Sequence, residues 1–261
     1  MDRRPRRSYL ESQPQGLPLT VPFVTNRREI KYLVGAAEAE EFKSRVTDLT
    51  DLFVRDTHDD GSGYLSHSVY FDSTNLTFFR QQIEGAPTRS KPRLRTYRPS
   101  LDTPPSAIFL EFKHRDADII TKERTALNAD QAERLLRGDL VAPLDDAIIE
   151  KFATLRERMS LMNCVSILYH RTAFASTDQP GLRITFDCRL QYSGSFDLTP
   201  PLGTLKPIEL ADRAVIELKF NGDLPAWITN TAAELGFQPS AYSKYANGVQ
   251  RAHPHGPPVT P

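Results

Sequence analysis

The chain has 261 residues, and its 33 lysines plus arginines are matched by 33 aspartates plus glutamates, for a formal net charge of zero. This balance creates no overall field for a polyanionic partner, so any positive surface must come from clustering. Two cysteines, Cys164 and Cys188, supply neither a disulfide framework nor a C-x-x-C metal motif, and no apolar run reaches the length of a membrane span.

Residues 1–25 open with "MDRRPRRSYLESQPQG", which is basic but lacks the apolar stretch of a secretory signal. They are expected to be a disordered tail on a cytoplasmic protein. "REIKYLV" (28–34) alternates like a strand, and 37–49 has helical spacing. Residues 67–73 read as a strand, and 76–85 as either element. Strands follow at 93–98, 107–115 and 119–127, with a hairpin turn at Asp116–Asp118. "NADQAERLLRG" (128–138) carries an N-cap Asn and a terminal Gly, so a helix is expected there and a second at 145–160. Strands resume at 163–176, 182–190 and 214–220. Helices are expected at 224–236, with Trp227 as a core anchor, and at 240–251. Residues 252–261, with His253 and His255, read as a second tail. Nothing divides residues 26–251, so one domain of about eight strands with peripheral helices is the economical architecture.

"IFLEFKHR" (108–115) puts Glu111 and Lys113 on one face of a strand, because residues two apart share a face. Glu29–Lys31 and Glu217–Lys219 repeat the pattern. Arg93–Arg95, Lys122–Arg124 and Arg183–Thr185–Asp187 place further charges at the same spacing. A half-exposed sheet gives this alternation. So does a closed barrel with a charged lumen and helices outside, and the pattern alone leaves both open. In the barrel, unpartnered cations would face desolvation and repulsion. A surplus over the glutamates therefore calls for a multivalent anion. Phosphate chains suit Arg forks and Lys point charges, and the carboxylates suit a hard divalent cation shared with the phosphates.

These residues resemble the triphosphate tunnel metalloenzyme (CYTH-like) superfamily, and within it the VTC domain of polyphosphate polymerases, over residues 27–251. Lys31 in "REIKYLV", Arg93 and Arg95 in "RLRTYR", Lys113 in "EFKHR" and Lys122 in "TKERT" look like the family's tunnel cations. So do Arg171 in "YHRTAF", Arg183 in "LRITFD" and Lys244 in "YSKYANG". Glu217 in "IELKF" looks like the metal-binding glutamate, with Glu29 or Glu111 as its companion. Other branches of the superfamily carry E-x-E-x-K on the first strand. Here those positions read Arg27, Glu29, Lys31, which favours the VTC branch.

The resemblance implies an α+β, mainly antiparallel fold: an eight-stranded closed barrel, the triphosphate tunnel, with peripheral helices. It implies a Mn²⁺- or Mg²⁺-dependent transfer of the terminal phosphoryl group of ATP, or another triphosphate, to polyphosphate. An inorganic triphosphatase, a nucleotide phosphohydrolase and a non-catalytic polyphosphate-binding module are the alternatives. No nucleic acid is expected as partner, and coupling to a membrane would need a separate protein. There is no G-x-x-x-x-G-K-[ST] loop and no G-x-S-x-G elbow, and His58, His67, His114 and His170 lack metal-ligand spacing. His170 is expected to point away from the lumen that Arg171 faces.

Overall fold

The computed structural model describes residues 23–25, 28–49, 51–56, 58–59, 61–117, 119–139 and 146–254. Most of both predicted tails, including His255, lies outside the described residues, as do Arg27, Asp118 and Asp145.

The strands are β1 (Phe23–Thr25), β2 (Arg28–Gly35), β3 (Phe53–Arg55), β4 (Tyr64–Ser73), β5 (Thr88–Arg98), β6 (Ala107–Asp116), β7 (Ile119–Ala126), β8 (Leu161–Ser176), β9 (Arg183–Ser193), β10 (Lys206–Pro207) and β11 (Arg213–Phe220). They form one sheet in the order β1-β7-β6-β5-β4-β8-β9-β11-β2, with β3 beside β8 and β10 beside β9. Every named strand pair is antiparallel. Among the described residues there are six α-helices, α1 (Ala36–Asp48), α2 (Thr77–Ile83), α3 (Ala129–Arg137), α4 (Ala147–Met159), α5 (Ala226–Glu234) and α6 (Lys244–Ala252). Residues 23–25, placed in the N-terminal tail by their composition, pair with β7. The ambiguous 76–85 stretch is α2.

The expected eight-stranded closed barrel is corrected to an open sheet of 11 strands that curls through 200°. The reason lies at its edges. β1 and β2 end the sheet, although only residues 26 and 27 separate them in sequence. The outer edge of β2 is taken instead by the segment before α6, through a bridge from Tyr32 to Pro239 and a bond from the Ser240 N–H to the Lys31 carbonyl at 2.8 Å.

The charged and apolar faces separate as the alternation requires. On the convex face, α1 and α5 cover Val34, Phe186 and Ile216, while α3 and α4 cover Val69, Leu94, Leu110 and Phe112. Trp227 is partly buried there, edge-on to Phe53. α3 starts with a capping box between Asn128 and Gln131, which satisfies two amides that helix geometry leaves free. The concave face is divided. One part is the charged lumen. The other is an apolar core in which α6 packs Tyr245 and Val249 against Val165, Ile167 and Tyr169. Gly248 permits this approach, because a Cβ there would stand 2.8 Å from Ile167 Cδ1. His253, expected in the tail, ends α6 with its Nε2 at 3.1 Å from the Cys164 carbonyl.

Candidate functional site: a cationic lumen with built-in carboxylates

Strand pairing explains the polar lining. β2 and β11 run antiparallel with Glu217 opposite Lys31 and Lys219 opposite Glu29. Two E-x-K strands in this register make a checkerboard in which every direct cross-strand neighbour has opposite sign, the favourable arrangement. Glu29 lies 3.3 Å from Lys31, and Glu217 lies 3.1 Å from Lys219. Glu29 also reaches Lys113 of β6 at 3.2 Å. That contact crosses the lumen, because β2 and β6 are not neighbours in the sheet.

Glu111 is 1% exposed and anchors a second cluster. Its Oε2 accepts from Arg93 Nε at 2.9 Å and Nη2 at 2.6 Å, and its Oε1 lies 2.7 Å from Lys122. Arg95 stands 3.9 Å away and donates to Ser68 Oγ and Tyr169 Oη. Burial alone pushes the Glu111 carboxyl up, but Arg93, Arg95 and Lys122 hold it well below the usual range.

A third cluster centres on Asp187, which is 0% exposed. It accepts two bonds from Arg171, at 2.6 and 2.7 Å, and lies 2.6 Å from Lys244. Lys244 also bonds Glu217 at 2.7 Å, and Arg171 is 3.7 Å from Glu217. Burial works against the Lys244 charge, yet Asp187 and Glu217 hold its ammonium well above the ordinary value. Burial pushes Lys219 down, Glu217 and Glu29 restore it only in part, and it rests at about 8. Arg183 pairs with Asp56, which also accepts from Tyr64 Oη at 3.1 Å.

Every site residue named from the sequence therefore lies on or just beneath one lumen. Its arginine-rich cavity, of about 390 Å³, is lined by nine cationic side chains and two carboxylates. Its larger cavity, of about 730 Å³, has six and one, the six being three lysines and three arginines. The two share Arg28, Glu29, Ile120 and Lys113. Sequence reasoning passed over Lys91, Asp187 and Asp56 as site residues. Asp187 had a signal, since it shares a strand face with Arg183. Asp56 and Lys91 sit outside any strand the pattern identified.

The histidines are dispersed. His58 stacks on Tyr97, His67 bonds Ser166, His114 bonds Ser90, and His170 lies on the convex face with Nδ1 3.8 Å from Cys188 Sγ. Among the described residues no three His, Cys, Asp or Glu side chains gather into a metal site. The lumen nevertheless offers hard oxygen donors on adjacent strands, Glu29 and Glu217, diagonal in the checkerboard. Two carboxylates with phosphate and water completing the shell are a fitting set for Mg²⁺ or a similar ion.

The family model described as the VTC domain matches residues 26–253. The chain belongs to the VTC domain family. No curated protein sequence matches it. Among solved structures, this VTC domain is similar to a candidate adenylate cyclase from Bacillus halodurans, with 14% identity, a TM-score of 0.50 and coverage of 87% of this chain and 98% of that one. It is also similar to a candidate adenylyl cyclase from Hippeastrum described as having a dominant triphosphatase activity, with 14% identity, a TM-score of 0.46 and coverage of 86% and 94%. The first of these likenesses concerns the fold alone. Triphosphate-tunnel proteins bind triphosphates and are metal-dependent. No helix among the described residues is long and apolar enough to cross a membrane.

Proposed function

We propose that this VTC domain is a polyphosphate polymerase of the cytoplasm, which moves the terminal phosphoryl group of ATP onto a phosphate chain. The observation that carries this reading is the continuity of the lumen. A triphosphate needs only the arginine-rich cavity, whereas the larger cavity that joins it at Lys113 extends the same cationic lining for a longer polyanion.

In this reading Arg93, Arg95, Arg171 and Arg183 hold the triphosphate by forked, charge-assisted bonds. Lys31, Lys113, Lys122 and Lys244 complete the lining. A terminal oxygen of the acceptor chain attacks the γ-phosphorus as the bond to the β-phosphate oxygen breaks. ADP leaves, the chain is one phosphate longer, and no proton need move. Such a transfer depends on alignment and charge neutralisation, which a fixed cationic lining provides without reorganising. Glu217 and Glu29 would hold the divalent ion, Mn²⁺ or Mg²⁺, which when bound offsets charge on the leaving diphosphate. Glu111, wrapped by Arg93 and Lys122, serves as counter-charge.

Purified protein incubated with ATP and Mn²⁺, with products resolved by size, tests this directly. Chains longer than triphosphate are expected. Orthophosphate alone, from ATP or tripolyphosphate, would assign a phosphohydrolase, and no product at all would leave a binding module.

A further inference from the structure

Lumen-facing residues of β5, β6 and β7 stand in rows. Arg93, Glu111 and Arg124 form one row, and Lys91, Lys113 and Lys122 form the next. The first alternates in sign. The second sets three ammonium groups side by side on strands about 4.8 Å apart, which destabilises a sheet unless something offsets it. Glu111 offsets Lys122, and Glu29 offsets Lys113. Lys91 pairs with no carboxylate among the described residues. Its Nζ lies 3.3 Å from Ser243 Oγ and 5.8 Å from the Tyr245 ring. Burial, reinforced by Lys113, Lys31, Arg89 and Arg93, pushes its ammonium well below the usual lysine range. Ser243 is the N-cap of α6, so the positive end of that helix faces the same place.

Position along β5 separates Lys91 from the triphosphate. Arg95, Arg93 and Lys91 succeed one another two residues at a time, so Lys91 stands about 14 Å from Arg95 along the strand. Lys91 lines the larger cavity and not the arginine-rich one.

We infer that Lys91 is a chain-length selector: with the N-terminus of α6 it binds phosphates beyond the three held by the arginines, and so favours polyphosphate over a triphosphate. The inference rests on the polyphosphate reading of the lumen. An anion there relieves the lysine row, which no internal carboxylate does for Lys91.

The test is calorimetric binding of tripolyphosphate and of a size-fractionated long polyphosphate to the wild type, Lys91→Met and Lys91→Arg. Loss of one charge-assisted contact predicts that Lys91→Met binds the long chain about tenfold or more weakly. Its affinity for tripolyphosphate should stay within about twofold, and Lys91→Arg should recover most of the loss. Without ligand, Lys91→Met should melt no lower than the wild type, because it removes a like-charge neighbour. A merely structural lysine would lower the melting temperature. Equal losses for both ligands, or none for the long chain, would overturn the selector while the polyphosphate reading stands. A wild type that binds neither ligand would overturn both.

Discussion

Asp187→Asn probes the charge balance of the lumen most directly. Asp187 is fully buried and receives both arms of Arg171 and the ammonium of Lys244. The amide keeps the shape but removes the charge, leaving two buried cations to share Glu217. Breaking a buried pair in this way costs about 3–5 kcal/mol. For a domain of this size each kcal/mol is worth roughly 2–4 °C, so melting should fall by roughly 6–20 °C. A bound polyanion restores the missing negative charge. Tripolyphosphate at about 100 times the wild type's dissociation constant stabilises the wild type by about 2.7 kcal/mol, and at that same concentration the variant should bind more tightly and gain more. Melting followed by circular dichroism, with and without tripolyphosphate, measures both effects. A melting temperature within about 2 °C of the wild type, or a smaller ligand shift in the variant, would refute the compensation argument.

Glu217→Gln should lower phosphoryl transfer by about a hundredfold or more and raise the metal concentration required. Glu111→Gln should lower stability but leave the metal requirement unchanged, and a metal titration of activity separates the two. Gly248→Val should lower unfolding free energy by about 2 kcal/mol, since α6 has no room against Ile167. In Gly248→Ala a helix gain of about 1 kcal/mol offsets the milder crowding, and denaturant titration should find little net change. Acid should weaken the fold in a defined window. Burial pushes the Glu29 carboxyl up, but Lys113 and Lys31 bring it from 4.5 down to about 2. Its stabilisation is therefore complete above the unfolded value and lost as pH falls from about 4.5 towards about 2, a change of about 3 kcal/mol. Urea titrations across that range should show the loss, and Glu29→Gln should flatten it.

The alternation that revealed the lumen is a local property, which is why it was legible. Glu29–Lys31, Glu111–Lys113 and Glu217–Lys219 each fix which side of a strand is polar, and the apolar partners Leu110 and Ile216 fix where helices cover it. Closure is not local. It depends on whether β1 meets β2 or, as here, the segment around Pro239 takes that edge, and no periodicity carries that choice. The place of α6 on the concave face was equally hidden, because an amphipathic helix does not declare which side of a sheet it joins. Lys91 was missed because Pro92 marks a strand boundary in most contexts. β5 runs through it because pairing with β4 ends at Arg93 and frees that edge.

The lumen carboxylates would also bear on how a polyanion leaves. Glu29, Glu111, Asp187 and Glu217 are tethered counter-ions, already in contact with the cations a phosphate chain would use. Binding is then an exchange of partners inside the protein more than a capture by bare charge. Fewer mobile ions are expelled to solvent, so affinity should fall less steeply with salt than the number of lining cations implies. In the proposed reaction a departing chain would be replaced at once by side chains that were waiting beside it, which would let a basic lumen release an acidic product.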